Sequence, residues 1–136
     1  MAKQREINKL INYIKENYSI KDYEIENRDR EGTNGIIYRG ISVYIKSLDF
    51  SAIWLKSSYG YEEGLIEIMC PIHFYYHVSI RGYLTGNECI SILKNYDKLK
   101  SLSVERDTMI EKSKEIFEKH YIDLMNEVVN RAVKEK

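Results

Sequence analysis

The stretch HFYYHVSIR, residues 73–81, carries two histidines four positions apart with aromatic residues between them. Two imidazoles at that spacing suit metal ligation or acid–base work, because histidine is both a common ligand and a side chain that changes charge near neutrality. The backbone beneath them decides which. Apolar and polar residues alternate from 72 to 82, which predicts a strand. Ile72, Phe74, Tyr76, Val78 and Ile80 would then face one way, and His73, Tyr75, His77, Ser79 and Arg81 the other. At the rise of a strand the two histidines stand about 13 Å apart. One zinc ion, with bonds of about 2 Å, does not span that distance. Neither a cysteine nor a carboxylate stands beside them at an obvious ligand spacing. The expectation is therefore no metal and no cofactor.

Acid–base catalysis would need a partner, and Glu62, Glu63 or Glu67 could lie across a sheet from the histidines. No nucleophile motif, phosphate-binding glycine loop or paired-carboxylate signature accompanies them. The glycines at 32–40 and 60–64 fit hairpins and lack the dinucleotide or Walker spacing. The chain is expected not to be an enzyme, with a small enzyme or nucleotide binder built on His73 and His77 as an alternative.

A different chemistry fits the residue types better. Tyrosine, tryptophan, histidine and arginine with few other charges are enriched at protein interfaces. Tyrosine brings a large apolar area with one polar tip. If one sheet face gathers them, Tyr38, Tyr44, Trp54, Tyr59, Tyr61, His73, Tyr75, His77 and Arg81 form a protein-binding surface; otherwise that face is simply half solvated. Aromatic strands also stack unpaired bases, so single-stranded nucleic acid is an alternative ligand through Tyr38, Tyr44, Tyr75 and Arg81.

Charge argues against nucleic acid. The 21 basic side chains are balanced by 21 acidic ones, and nucleic-acid binders usually carry a basic excess. Between Gly32 and Ile90 there are four basic residues (Arg39, Lys46, Lys56 and Arg81) and five acidic ones (Asp49, Glu62, Glu63, Glu67 and Glu88). The centre of the chain is poor in charge, not basic. No apolar run approaches the roughly 18 residues of a membrane span. The first residues hold no signal-peptide core, so the cytoplasm is the expected compartment. Cys70 and Cys89 both lie in apolar patterns and read as buried free thiols. Abundant Lys, Ile, Asn and Tyr with a single Pro have AT-rich codons, as in a low-GC bacterium, its phage or a plasmid.

The positioning elements follow from periodicity. Ile7, Leu10, Ile11, Ile14 and Tyr18 lie at helical spacing. Strands are predicted at 23–27, 36–46, 50–57, 65–70 and 72–83, with residues 28–35 as a hairpin turn and Arg39-Gly40 as a bulge or twist. Asn87 reads as the cap of a helix carrying Cys89, Ile90, Ile92, Leu93, Tyr96 and Leu99. Residues 101–104 read as a short break, with Ser103 or Asp107 capping a last helix that runs to about Val133. Its stripe is Met109, Ile110, Ile116, Phe117, Tyr121, Leu124, Met125, Val128 and Ala132. His120 lies on its polar side. The helix is long enough to outrun a small sheet, and self-association as a homodimer is expected through Met125, Val128, Val129 and Ala132.

The reading is one α+β domain over residues 1–136. An antiparallel sheet of about four to five strands carries an N-terminal helix and two C-terminal helices, packed mainly on one face. The expected role is a non-enzymatic inhibitor, adaptor or regulator that binds another protein, of phage or mobile-element origin.

Overall fold

A computed structural model describes residues 2–134. After a short turn at Ala2–Gln4, helix α1 (Arg5–Asn17) buries Ile7, Leu10, Ile11 and Ile14, the stripe its spacing predicts. Strand β1 (Tyr23–Asn27) follows. A small antiparallel hairpin, β2 (Arg30–Glu31) with β3 (Ile37–Tyr38), precedes β4 (Ile41–Ile45), β5 (Phe50–Trp54), β6 (Ile66–Met69) and β7 (Ile80–Leu84). The main sheet has five strands in the order β1-β4-β5-β6-β7, all antiparallel. Helices α2 (Gly86–Lys94) and α3 (Tyr96–Lys134) complete the α+β fold.

Register sorts the sheet into two faces. Val43 pairs with Ala52, Ile45 with Phe50 and Ala52 with Ile68; all are buried with α1, Cys89, Leu93 and Tyr96 in one core. Glu24, Tyr44, Ser51 and Met69 occupy paired positions on the other face. Alternation in the strands thus does what a half-buried antiparallel sheet requires. Burial without a partner pushes the Cys70 thiol up to about 11 and the Cys89 thiol up to about 12, so both are inert free thiols.

Four predicted features differ. The strand expected at 36–46 breaks at Arg39-Gly40. There the Asp29 carboxylate accepts the Gly40 N–H at 2.9 Å, and the Arg28 N–H donates to the Gly40 carbonyl at 2.8 Å. A Cβ at Gly40 would lie 2.7 Å from the Arg28 oxygen, so only glycine lets the strands cross so closely. Ile36 and Ile37 consequently leave the core and are exposed.

The strand expected at 72–83 is the largest correction. Only Ile80–Leu84 is extended. Residues 71–79 form a loop with a tight turn from Tyr75 to Val78, whose N–H donates to the Tyr75 carbonyl at 3.0 Å. His77 sits at φ 57° in the left-handed region. Pro71 cannot donate to a ladder. The backbone groups a strand would have paired are taken by α3 instead: the His73 N–H donates to Ser103 Oγ at 3.2 Å, and Arg106 donates to the carbonyls of His73 (2.6 Å) and Phe74 (3.2 Å).

The other two differences concern the helices. Thr85, not Asn87, caps α2. Its hydroxyl accepts the Glu88 N–H and the Glu88 carboxylate accepts the Thr85 N–H, a reciprocal box. Helix α3 runs through 101–104 without a break, because Ser103 and Asp107 point back at the loop and cap nothing; the interruption falls at Asn95.

Pairing between β6 and β7 slips by a bulge at Gly82-Tyr83, where Tyr83 takes φ 58°. Tyr59 stacks on Tyr83 with ring centroids 6.3 Å apart, and a Cβ at Gly82 would lie 2.4 Å from the Tyr59 Cβ. Gly82→Ala is therefore expected to cost about 1–3 kcal/mol by overpacking, read as a lower midpoint in urea. Ala at the exposed Thr33 should stay within about 0.5 kcal/mol.

Candidate functional site

The turn at 75–78 reverses the chain, so the two histidines meet. Their ring centroids are 5.7 Å apart, where an extended chain would separate their backbones by about 13 Å. The ground on which a shared ligand was discounted is removed by this fold. Helix α3 meets the loop with one face, since Ser103, Asp107 and Glu111 follow at i,i+4. His73 Nδ1–H donates to Asp107 Oδ2, and Arg106 holds the other oxygen of Asp107 at 3.0 and 3.2 Å. His77 Nε2–H donates to Glu111 Oε1 at 3.0 Å, leaving its Nδ1 3.9 Å from Asp107 Oδ2. The Tyr76 hydroxyl donates to the same Glu111 oxygen, and the Lys114 ammonium lies 4.2 Å from the Tyr76 ring centroid.

The charges explain the titration directions. The hydrogen bond from His73, then Arg106, holds the Asp107 carboxyl below its ordinary value, against the opposing effect of burial. Tyr76 and then His77 hold Glu111 down, while the hydrogen bond to Glu111 pushes the Tyr76 phenol up to about 12. Asp107 is buried, and these donors offset the cost of keeping it ionised there. Among the described residues, His73, His77 and Asp107 form the group whose ligand atoms converge, all within 4.8 Å of one another.

Beyond this cluster α3 leaves the body. Residues 111–134 are all exposed. Phe117, Tyr121, Leu124 and Val128 lie on this segment at alternating spacings of four and three; Ile110 extends the pattern at one end. Phe117 is 70% exposed and Leu124 52%, although both are apolar residues on a regular helix. Met125, Val128, Val129 and Ala132, predicted as a self-association patch, lie on this exposed segment.

The proposed aromatic sheet face does not form as one surface. Trp54 and Tyr61 are buried and stacked at 4.8 Å; the indole donates to the Tyr61 carbonyl and the Tyr61 hydroxyl to the Arg39 carbonyl. Tyr38 lies on the small hairpin with the Lys56 ammonium 4.4 Å from its ring centroid. Tyr44 is on the outer sheet face, donating to Asp49 at 2.7 Å. Tyr59, Tyr75 and Arg81 do come together, lining one depression with Tyr83, and Arg81 donates to the Tyr75 hydroxyl at 2.5 Å. His73 and His77 face α3. The cause is the loop at 71–79, which removes the two-residue rhythm that was to align them.

Sequence reasoning missed Arg106, Asp107, Glu111 and Tyr76. The readable signal was the polar i,i+4 row Ser103, Asp107 and Glu111, together with Pro71 just ahead of the histidines. No protein-family model, curated protein or solved structure matches the chain. No described helix is long and apolar enough to cross a membrane.

Because the folded Asp107 value lies below the unfolded one near 4, its contribution to stability is complete above about pH 4 and is lost as pH falls through the lowered value. The stability gap between wild type and Asp107→Asn, measured by denaturant titration, should be widest at neutral pH and shrink at about pH 3. A gap that does not change between these pH values would contradict an ionised, donor-held Asp107.

Proposed function

We propose that this chain is a non-enzymatic protein-association module whose working element is the exposed part of α3, and that its partner there is a second copy of itself. The observation that carries the reading is the run of 24 exposed residues, 111–134, with Phe117, Tyr121, Leu124 and Val128 at heptad spacing. At helical rise this segment extends about 36 Å. Its own core leaves it bare, and its apolar seam from Phe117 to Val128, about 17 Å at helical rise, is stable in water when another helix covers it.

Charge supports a like partner. Residues 111–134 hold five acidic and five basic side chains, so two copies approach without net repulsion. Area supports it as well. The five apolar seam side chains from Ile110 to Val128, at roughly 100 Å² each, bury about 1,000 Å² in a pair, the lower edge of a specific interface. Lys114 and Arg131 continue the seam at its two ends. Either direction sets cation against cation in these end layers, Lys114 against its own copy in a parallel pair and against Arg131 in an antiparallel one, so the apolar layers from Phe117 to Val128 carry the pairing. An antiparallel pair would leave the two α+β bodies at opposite ends and a parallel pair would set them side by side; either geometry suits an adaptor or regulator. The free thiols fit a reducing compartment, so the cytoplasm is part of the same proposal.

Sedimentation equilibrium at micromolar concentration should give a dimer for the full chain. Phe117→Asp with Leu124→Asp should give a monomer whose body keeps its near-ultraviolet signal from Trp54 and Tyr61. A wild-type chain that remains monomeric at high micromolar concentration overturns the proposal, as does a double variant that still pairs.

A further inference from the structure

We propose that His73, His77 and Asp107 bind a divalent ion of the zinc class, which ties the loop at 71–79 to the base of α3. The donor set is two imidazole nitrogens and one carboxylate oxygen, a combination that suits zinc and its neighbours rather than magnesium or calcium, which prefer all-oxygen shells. Two ligands on one tetrahedral zinc stand about 3.3 Å apart, given bonds near 2.0 Å. His77 Nδ1 is 3.9 Å from Asp107 Oδ2, and its ring sits at an exposed turn tip, free to close the difference. The His73–Asp107 hydrogen bond would open as the ion replaces the proton between them.

The surroundings are those a bound metal needs. A ligating histidine usually gives its other N–H to a carboxylate, which fixes the tautomer and turns the lone pair toward the ion. Glu111 accepts from His77 Nε2 at 3.0 Å, so the free lone pair is on Nδ1, the nitrogen near Asp107. Arg106 occupies Asp107 Oδ1 and leaves Oδ2 for the ion. The backbone at His77 is left-handed, which is uncommon for residues other than glycine, although histidine, like asparagine and aspartate, is among those that adopt it more readily. It belongs to the tight turn that brings the two rings edge to face at 5.7 Å. Three protein ligands leave a fourth position for solvent.

The test is calorimetric titration of metal-stripped full-length protein with zinc chloride. The expected result is saturable binding at one ion per chain in the micromolar range or tighter, with a rise of several degrees in melting temperature on saturation. His77→Asn keeps the backbone preference at that position, and it should melt like the wild type without metal while losing affinity at least tenfold. Asp107→Asn should lose at least as much. Glu111→Gln should weaken binding by about tenfold, the usual effect of an outer partner. His120→Ala, a change to the third histidine of the chain on the exposed part of α3, should bind as the wild type does. Absence of saturable binding, unchanged affinity in a folded His77→Asn, equal loss in His120→Ala, or displacement of zinc by excess magnesium would each overturn the site.

Discussion

The Arg106 guanidinium decides where this chain stops being a sheet. It donates to the carbonyls of His73 and Phe74 and to the carboxylate of the next residue, Asp107, so one planar group joins a loop to a helix. Arginine suits this task because its fork presents several donors in a fixed plane. A buried carbonyl without a donor costs about as much as a lost hydrogen bond. Once Arg106 and Ser103 supply those partners, residues 71–79 have no need of a neighbouring strand. The tight turn, the meeting of the histidines and the placement of α3 all follow from that exchange.

The clamp also marks the boundary between two regimes in one helix. Up to Asp107, α3 touches the body; Tyr96 and Ser103 are buried, and Leu99 packs against the core. Past Glu111 every described residue is exposed. A helix this long does not need its whole length to be packed in order to form, because propagation adds one hydrogen bond per residue once a packed nucleus exists. The packed first third therefore templates the rest. What the exposed part lacks is cover for its apolar seam, and that shortage gives α3 its suitability for association.

How much of this was legible in the sequence depended on how local the deciding interactions are. Ile7, Leu10, Ile11 and Ile14 mark α1 through a period that needs no partner to be recognised, and Val43, Ile45, Phe50 and Ala52 mark the sheet core in the same way. The α+β class and the antiparallel pairing rest on such patterns. The stretch at 72–82 alternates as well as any real strand, and there the rule fails. Its backbone partners, Ser103 and Arg106, stand about 30 residues downstream, and nothing in a two-residue rhythm announces them. Trp54 and Tyr61 failed in another way. Their residue types suit an interface and a core equally, and the stacking that settled it comes from a loop whose path follows glycines at 60 and 64 with positive φ. The cluster of His73, His77, Asp107 and Glu111 was half legible: the histidines were seen, but the carboxylates were hidden on a helix whose register with the loop only folding sets.

A polar joint of this kind has a physical consequence for the fold. Greasy packing tolerates sliding, since apolar contacts have no preferred direction and cores accept substitutions of similar volume. Hydrogen bonds to a guanidinium and a carboxylate are directional and fail within a fraction of an ångström. The net stability from such a cluster is small, because each group gives up water to enter it. Its effect is on geometry: α3 can leave the body only along the line that satisfies Ser103, Arg106, Asp107 and Glu111 together. The body thereby fixes the heading of a seam it does not itself cover. One of the groups that set this heading, the buried Asp107 carboxylate, also converges with the ligand atoms of His73 and His77. The joint that aims the helix is thus also the place where the proposed ion would bind.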